Sequence, residues 1–167
     1  MWYALYTNPR AEKKLSALLN KYKVENYLPL LAIKKKWSDR YKIISTPLFT
    51  SYIFVNIEYD KDRIKILSLP GAHHFIFHLG KPCIISEEDI EMIKIFVENF
   101  PETLKLKKEE SLKKGKTILI KYGPFAGHKA EVERVNKNAR VVLKLPAMNQ
   151  TISVEVQVEE LGLDEIW

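Results

Sequence analysis

Residues 115–127 read Gly115-Lys116-Thr117-Ile118-Leu119-Ile120-Lys121-Tyr122-Gly123-Pro124-Phe125-Ala126-Gly127. A β-prone run enters a tight Gly-Pro turn, and Phe125 stands where it can plug an apolar interior. A second strand then returns through Glu131 and Val132. Working outward, 116–121, 130–135, 140–145 and 151–156 are four short strands, separated by Gly-Pro, Asn-rich and Pro-containing turns. Short strands at near-regular spacing predict a small β-barrel, because closure removes exposed edges. The preceding stretch, 101–114, is Lys or Glu at eight of fourteen positions, which predicts a solvated linker.

Upstream of that linker the pattern changes. Residues 2–7 are nearly all apolar or aromatic and predict a strand buried on both faces. Asn8 then Pro9 reads as a helix start, with Leu15, Leu18, Leu19 and Tyr22 at helical spacing behind it. Residues 26–33 and 41–45 predict strands flanking a basic, turn-like tip, and 51–57 (Ser-Tyr-Ile-Phe-Val-Asn-Ile) is strongly β-prone. A short amphipathic stretch at 60–68 precedes the Pro70-Gly71 turn and a strand at 73–77. Ser86 with Asp89 then opens a helix carrying Ile90, Ile93, Phe96, Val97 and Phe100, which Pro101 ends. The fold class is α+β: an antiparallel sheet flanked by helices over 1–100, the linker 101–114, and a barrel over 115–167.

The chain has 167 residues, a net charge of +6 and a single cysteine, Cys83. One cysteine excludes an internal disulfide and a Cys-based zinc site. No apolar run approaches the ~20 residues that span a bilayer, and no secretory signal is apparent, so a cytoplasmic protein without membrane contact is expected. Charge is uneven. Residues 1–42 hold ten Lys/Arg against three Asp/Glu, whereas 43–100 hold five against eight. The basic first quarter suggests a polyanionic partner. Nothing predicts catalysis: there is no nucleophile motif, no phosphate-cradling glycine loop and no carboxylate pair at a required spacing. No cofactor or metal is called for. His73 and His74 are adjacent in a strand, which should send them to opposite faces, so a joint ligand pair is not expected.

The motifs also carry a resemblance. Gly115, Gly123, Pro124, Phe125, Gly127 and Val132 are similar to a KOW motif, the signature of small SH3-like barrels. That motif's usual glycine is Ala130 here, which requires a backbone without positive φ. Trp2-Tyr3, Pro9-Arg10-Ala11-Glu12, Tyr27-Leu28-Pro29, Pro47-Leu48-Phe49 and Tyr52-Ile53-Phe54-Val55 resemble the N-terminal domain of the NusG family of transcription elongation factors. Pro47-Leu48-Phe49 running into Tyr52-Ile53-Phe54, the His74-Phe75 pair and Ala130 are most similar to its specialised RfaH/UpxY/LoaP-like, operon-dedicated branch.

The resemblance implies a monomeric bacterial factor that binds elongating RNA polymerase, bridges its main channel and suppresses pausing and termination. It implies contact with the polymerase clamp helices through Tyr6, Pro47, Phe49, Tyr52 and Phe54, and with the gate loop near His73 and His74. Alternation places Tyr52, Phe54 and Asn56 on one face and Ile53 and Val55 on the other. Non-template DNA in the transcription bubble would meet Arg10, Lys13, Lys14, Lys34, Lys35, Lys36, Trp37, Arg40, Tyr41 and Lys42. The KOW barrel would recruit a ribosomal small-subunit protein or the termination factor Rho. The competing expectation is an RNA- or ribosome-binding KOW protein without polymerase contact.

Overall fold

Strand β1 (Trp2–Thr7) organises the first half of the chain. It pairs antiparallel with β5 (Tyr52–Asn56), in a register running from Trp2 opposite Asn56 to Tyr6 opposite Tyr52. β2 (Asn26–Tyr27) flanks β5, while β6 (Ala72–Phe75) and β9 (Ile84–Ile85) flank β1. The alternation of β5 resolves as expected. Ile53 and Val55 join Tyr3, Leu5 and Phe75 in one core with Leu15 and Leu19 of α1 (Glu12–Lys21) and Ile66 of α2 (Tyr59–Leu67). The computed structural model describes residues 1–108 and 115–161, and the chain divides into two units, Met1–Ile90 and Glu91–Trp167.

Two local expectations are corrected in the first unit. Helix α1 begins at Glu12 rather than Pro9: Asn8–Ala11 is a turn, closed by the Ala11 N–H donating to the Asn8 carbonyl at 3.1 Å. Arg10 sits at φ 62°, a left-handed conformation that a helix cannot continue through. The basic tip is also more regular than its composition implied. β3 (Leu30–Trp37) and β4 (Arg40–Pro47) pair without interruption to Trp37 opposite Arg40, leaving only Ser38–Asp39 as the turn. Hydropathy could not reveal that β3 runs on to Trp37, since Lys34, Lys35 and Lys36 are three consecutive charged residues with no apolar alternation. A smaller hairpin joins β7 (Phe77–His78) to β8 (Lys81–Pro82).

The second unit is a five-stranded antiparallel sheet of the SH3-like kind, in the order β10 (Lys105–Lys108), β14 (Gln150–Gln157), β13 (Asn138–Leu145), β12 (Lys129–Val135), β11 (Lys116–Leu119). Val132, Val141, Leu143, Ile152, Val154 and Phe125 are among its buried residues. Ala130 is buried opposite Ile118 and is not among the residues of positive φ, as its side chain requires.

Strand β10 lies inside the stretch expected as linker. It pairs with β14 from Lys105 opposite Ser153 to Lys108 opposite Gln150, and residues 109–114 fall outside the described residues. The open edge of β14 supplies a ladder of backbone partners, which a Lys-rich composition does not advertise. Helix α3 (Glu87–Asn99) is capped as expected, the Asp89 N–H donating to Ser86 Oγ at 3.0 Å. The division at Ile90/Glu91 falls within it, ahead of the expected domain end at 100. Its Phe96 and the following Phe100 pack on Phe125, edge-on at 5.4 Å and stacked at 5.1 Å.

Candidate functional site

Two surfaces of the first unit hold most of the sequence-derived candidates. On the sheet face opposite the α1/α2 core, register places Tyr6 beside Tyr52, and their rings meet edge-on at 5.3 Å. Both are half-buried. The Tyr52 hydroxyl is pushed above its ordinary pKa, first by burial and then by the Tyr6 phenol beside it. Phe54 and Phe49 lie deeper, at 0% and 2% exposure, with ring centroids 5.7 Å apart. Tyr27 stacks on Phe54 at 6.5 Å. The structure therefore separates the expected docking residues. Tyr6 and Tyr52 reach the surface, Pro47 is half-buried at the end of β4, and Phe49 and Phe54 are packed beneath.

His73 and His74 complete this face, and they overturn the expectation of opposite orientation. Tyr6 pairs with His74 but Thr7 pairs with Ala72, so the register slips by one residue and His73 is the extra one. Such a bulge lets two consecutive side chains emerge on the same side. Their Nδ1 atoms approach to 2.6 Å, one donating and the other accepting. Both rings also lean on Tyr6, at 5.6 and 5.0 Å. Two exposed imidazoles and two half-buried phenols thus form one aromatic cluster. Among the described residues no group of three or more His, Cys, Asp or Glu side chains is arranged to hold a metal ion.

The second surface is the β3–β4 ribbon and its root. Lys34, Lys35, Lys36, Trp37, Arg40, Tyr41 and Lys42 are all exposed along it. Lys34 Nζ lies 4.5 Å from the centre of the Tyr41 ring, and Lys42 Nζ lies 5.9 Å from that of Trp37. At the root, Lys13 Nζ donates to the Ser45 carbonyl and ties helix α1 to the ribbon. A cavity of about 430 Å³ opens there, lined by Arg10, Lys13, Ser45, Thr46 and Pro47 among others. Arg10 and Lys13 are thus brought to the ribbon's base, while Lys14 is exposed on α1. Glu12 at the start of α1 has a structural role that the sequence does not announce. It is 4% exposed, and its carboxylate accepts the Ser51 N–H at 2.7 Å, pinning the entry to β5. The Pro-Arg-Ala-Glu string contained it, but nothing in the sequence links it to a residue 39 positions away.

In the second unit Gly123 and Gly127 have φ of 76° and 86° and shape the turn that carries Phe125. Gly115 opens β11, its N–H donating to the Glu131 carboxylate at 2.7 Å. Val132 is fully buried opposite Lys116. One face of the sheet carries an ion-pair network. Arg140 meets Glu133 at 3.4 Å and Glu155 at 3.2 Å, and Lys144 meets Glu131 at 3.0 Å.

The first unit thus carries an aromatic face on a five-stranded sheet and a basic ribbon, and the second a KOW-type turn. Residues 1–94 match the family model described as transcription termination factor nusG, and residues 114–144 match the KOW motif. The chain belongs to the NusG family. It is 27% identical over 154 residues to the transcription termination/antitermination protein NusG of Campylobacter jejuni, covering 86% of this chain and 85% of that one. Its fold is similar to the solved structure titled for domain interaction in Thermotoga maritima NusG, with TM-score 0.51, 21% identity and coverage of 95% and 94%. No helix among the described residues is long and apolar enough to cross a membrane.

Proposed function

We propose that this protein binds elongating RNA polymerase through the cluster of Tyr6, Tyr52, His73 and His74, and there suppresses pausing and termination. The observation that carries the reading is the cluster itself. Two half-exposed tyrosines and two exposed histidines pack on one another on the sheet face that the α1/α2 core does not use. Exposed aromatics rimmed by polar groups mark protein interfaces and supply most of their energy. Phe49 and Phe54 are buried against each other and do not form part of this exposed face.

The mechanism is differential binding. A factor that grips both sides of the polymerase channel favours the closed, elongating state over the open, paused one. The enzyme does the chemistry and this chain does none. The basic ribbon adds a nucleic-acid contact, which fits a factor dedicated to particular operons. The KOW unit recruits a second partner, a ribosomal small-subunit protein or Rho, by raising its effective concentration.

The test uses the full chain and core polymerase. Tyr6→Ala with Tyr52→Ala should weaken binding by about a hundredfold or more, on the order of 3 kcal/mol for two interface aromatics. Circular dichroism should stay unchanged, since neither ring is in the α1/α2 core. Wild-type affinity in the folded double variant would remove this face from the interface.

A further inference from the structure

We propose that the β3–β4 ribbon is a binding element for double-stranded DNA, which it enters tip-first through the major groove. This rests on the reading that the ribbon contacts nucleic acid, and it names which form.

The argument comes from the distribution of charge over two faces. Cross-strand partners share a face of the ribbon, and alternate pairs share it with them. Trp37/Arg40 and Lys35/Lys42 therefore lie on one face, and Lys36/Tyr41 and Lys34/Ile43 on the other. The ring–cation contacts agree: Lys42 sits over Trp37 on the first face, and Lys34 over Tyr41 on the second. Each face thus carries an exposed aromatic ring under a lysine. The five cations divide three to two, with Asp39 the one acid of the tip. No ion pair among the described residues engages any of the five.

A ribbon lying along a single strand meets phosphates on one face and leaves the other face to solvent. Charge and rings on both faces fit a site with two phosphate walls. Face-to-face sheet spacing of ~10 Å sets the thickness of a ribbon with its side chains. The major groove of B-DNA is ~12 Å wide and ~8.5 Å deep, whereas the minor groove is ~6 Å wide. At ~3.4 Å per residue, that depth takes in the two or three cross-strand levels nearest the tip, Trp37/Arg40 to Lys35/Lys42, with Lys34 at the rim. The deep, narrow major groove of A-form RNA excludes the same element. A purely solubilising hairpin does not account for Trp37, Tyr41 and Ile43, which are 53%, 61% and 73% exposed.

The experiment titrates the full chain into three fluorescein-labelled probes: a DNA duplex of ~20 base pairs, which exceeds the ribbon's ~27 Å length, one of its strands alone, and the RNA duplex of the same sequence. Anisotropy is read from about 50 to 200 mM salt, the range in which phosphate contacts weaken most visibly. The DNA duplex should bind tightest. Its slope of log affinity against log salt should be about −4 to −4.5, from five contacts at ~0.9 each, against about −2 for the single strand.

Lys34→Gln with Lys36→Gln removes cations from one face, and Lys35→Gln with Lys42→Gln from the other. Each pair should flatten the duplex slope by about 1.8. If only one pair matters, the ribbon lies with one face on its ligand and groove entry is wrong. Tighter binding to the single strand or to the RNA duplex also overturns the proposal, while leaving the ribbon as a nucleic-acid contact. Absence of binding to all three probes overturns both readings, yet leaves polymerase docking through Tyr6 and Tyr52 standing.

Discussion

Replacing Gly123 by alanine probes the KOW turn, and Gly127 supplies its internal control. Both glycines are left-handed, at φ 76° and 86°. Alanine in that conformation costs about 1–2 kcal/mol at either site. The sites differ in what a methyl group would meet. At Gly123 an added Cβ would stand 2.6 Å from the Glu160 carbonyl oxygen, closer than real Cβ atoms come, and the obstacle is backbone rather than a flexible side chain. At Gly127 no atom lies within 4 Å. Forcing the methyl in at Gly123 adds an overpacking cost of about 1–3 kcal/mol.

Gly127→Ala should therefore lose about 1–2 kcal/mol and Gly123→Ala about 2–5 kcal/mol. For a unit of this size each kcal/mol lowers the Tm by roughly 4–8 °C, so the two variants should melt at least several degrees apart. Differential scanning calorimetry of the full chain, following the transition of the second unit, measures the difference directly. Equal losses, or a larger one at Gly127, would refute the packing of the 158–161 turn against the KOW turn.

Phe54→Ala should cost about 3–5 kcal/mol of stability, because the ring is fully buried against Phe49 and Tyr27. A urea titration that finds Phe54→Ala no more destabilising than Tyr6→Ala would place Phe54 at the surface instead. A fragment spanning 91–167 should unfold at higher urea than one spanning 115–167. The shorter piece lacks β10 and both rings that pack on Phe125. Equal midpoints would show that 91–108 contributes nothing to the sheet it pairs with.

Local chemistry was enough to set much of this architecture. Period-2 alternation in 51–57 assigned Ile53 and Val55 to the core and Tyr52 to the opposite face, because successive strand side chains must alternate. Ser86 announced the start of α3, since a hydroxyl can satisfy an orphan N–H there. The Gly-Pro turn and the four β-prone runs around it gave the barrel strands β11 to β14 to within a few residues.

What the sequence left open depends on groups distant along the chain. The depth of Phe54 is set by Phe49 and Tyr27 closing over it, so alternation could assign its face but not its exposure. His73 and His74 converge only because the β1–β6 register slips between Tyr6 and Thr7, and no property of either histidine encodes that slip. Strand β10 forms where the edge of β14 offers it partners, against the bias of its own lysines. The same rule explains the ribbon. Its lysines individually favour solvent, and cross-strand pairing turns a basic tip into a paired ribbon with a cation and a ring on each face.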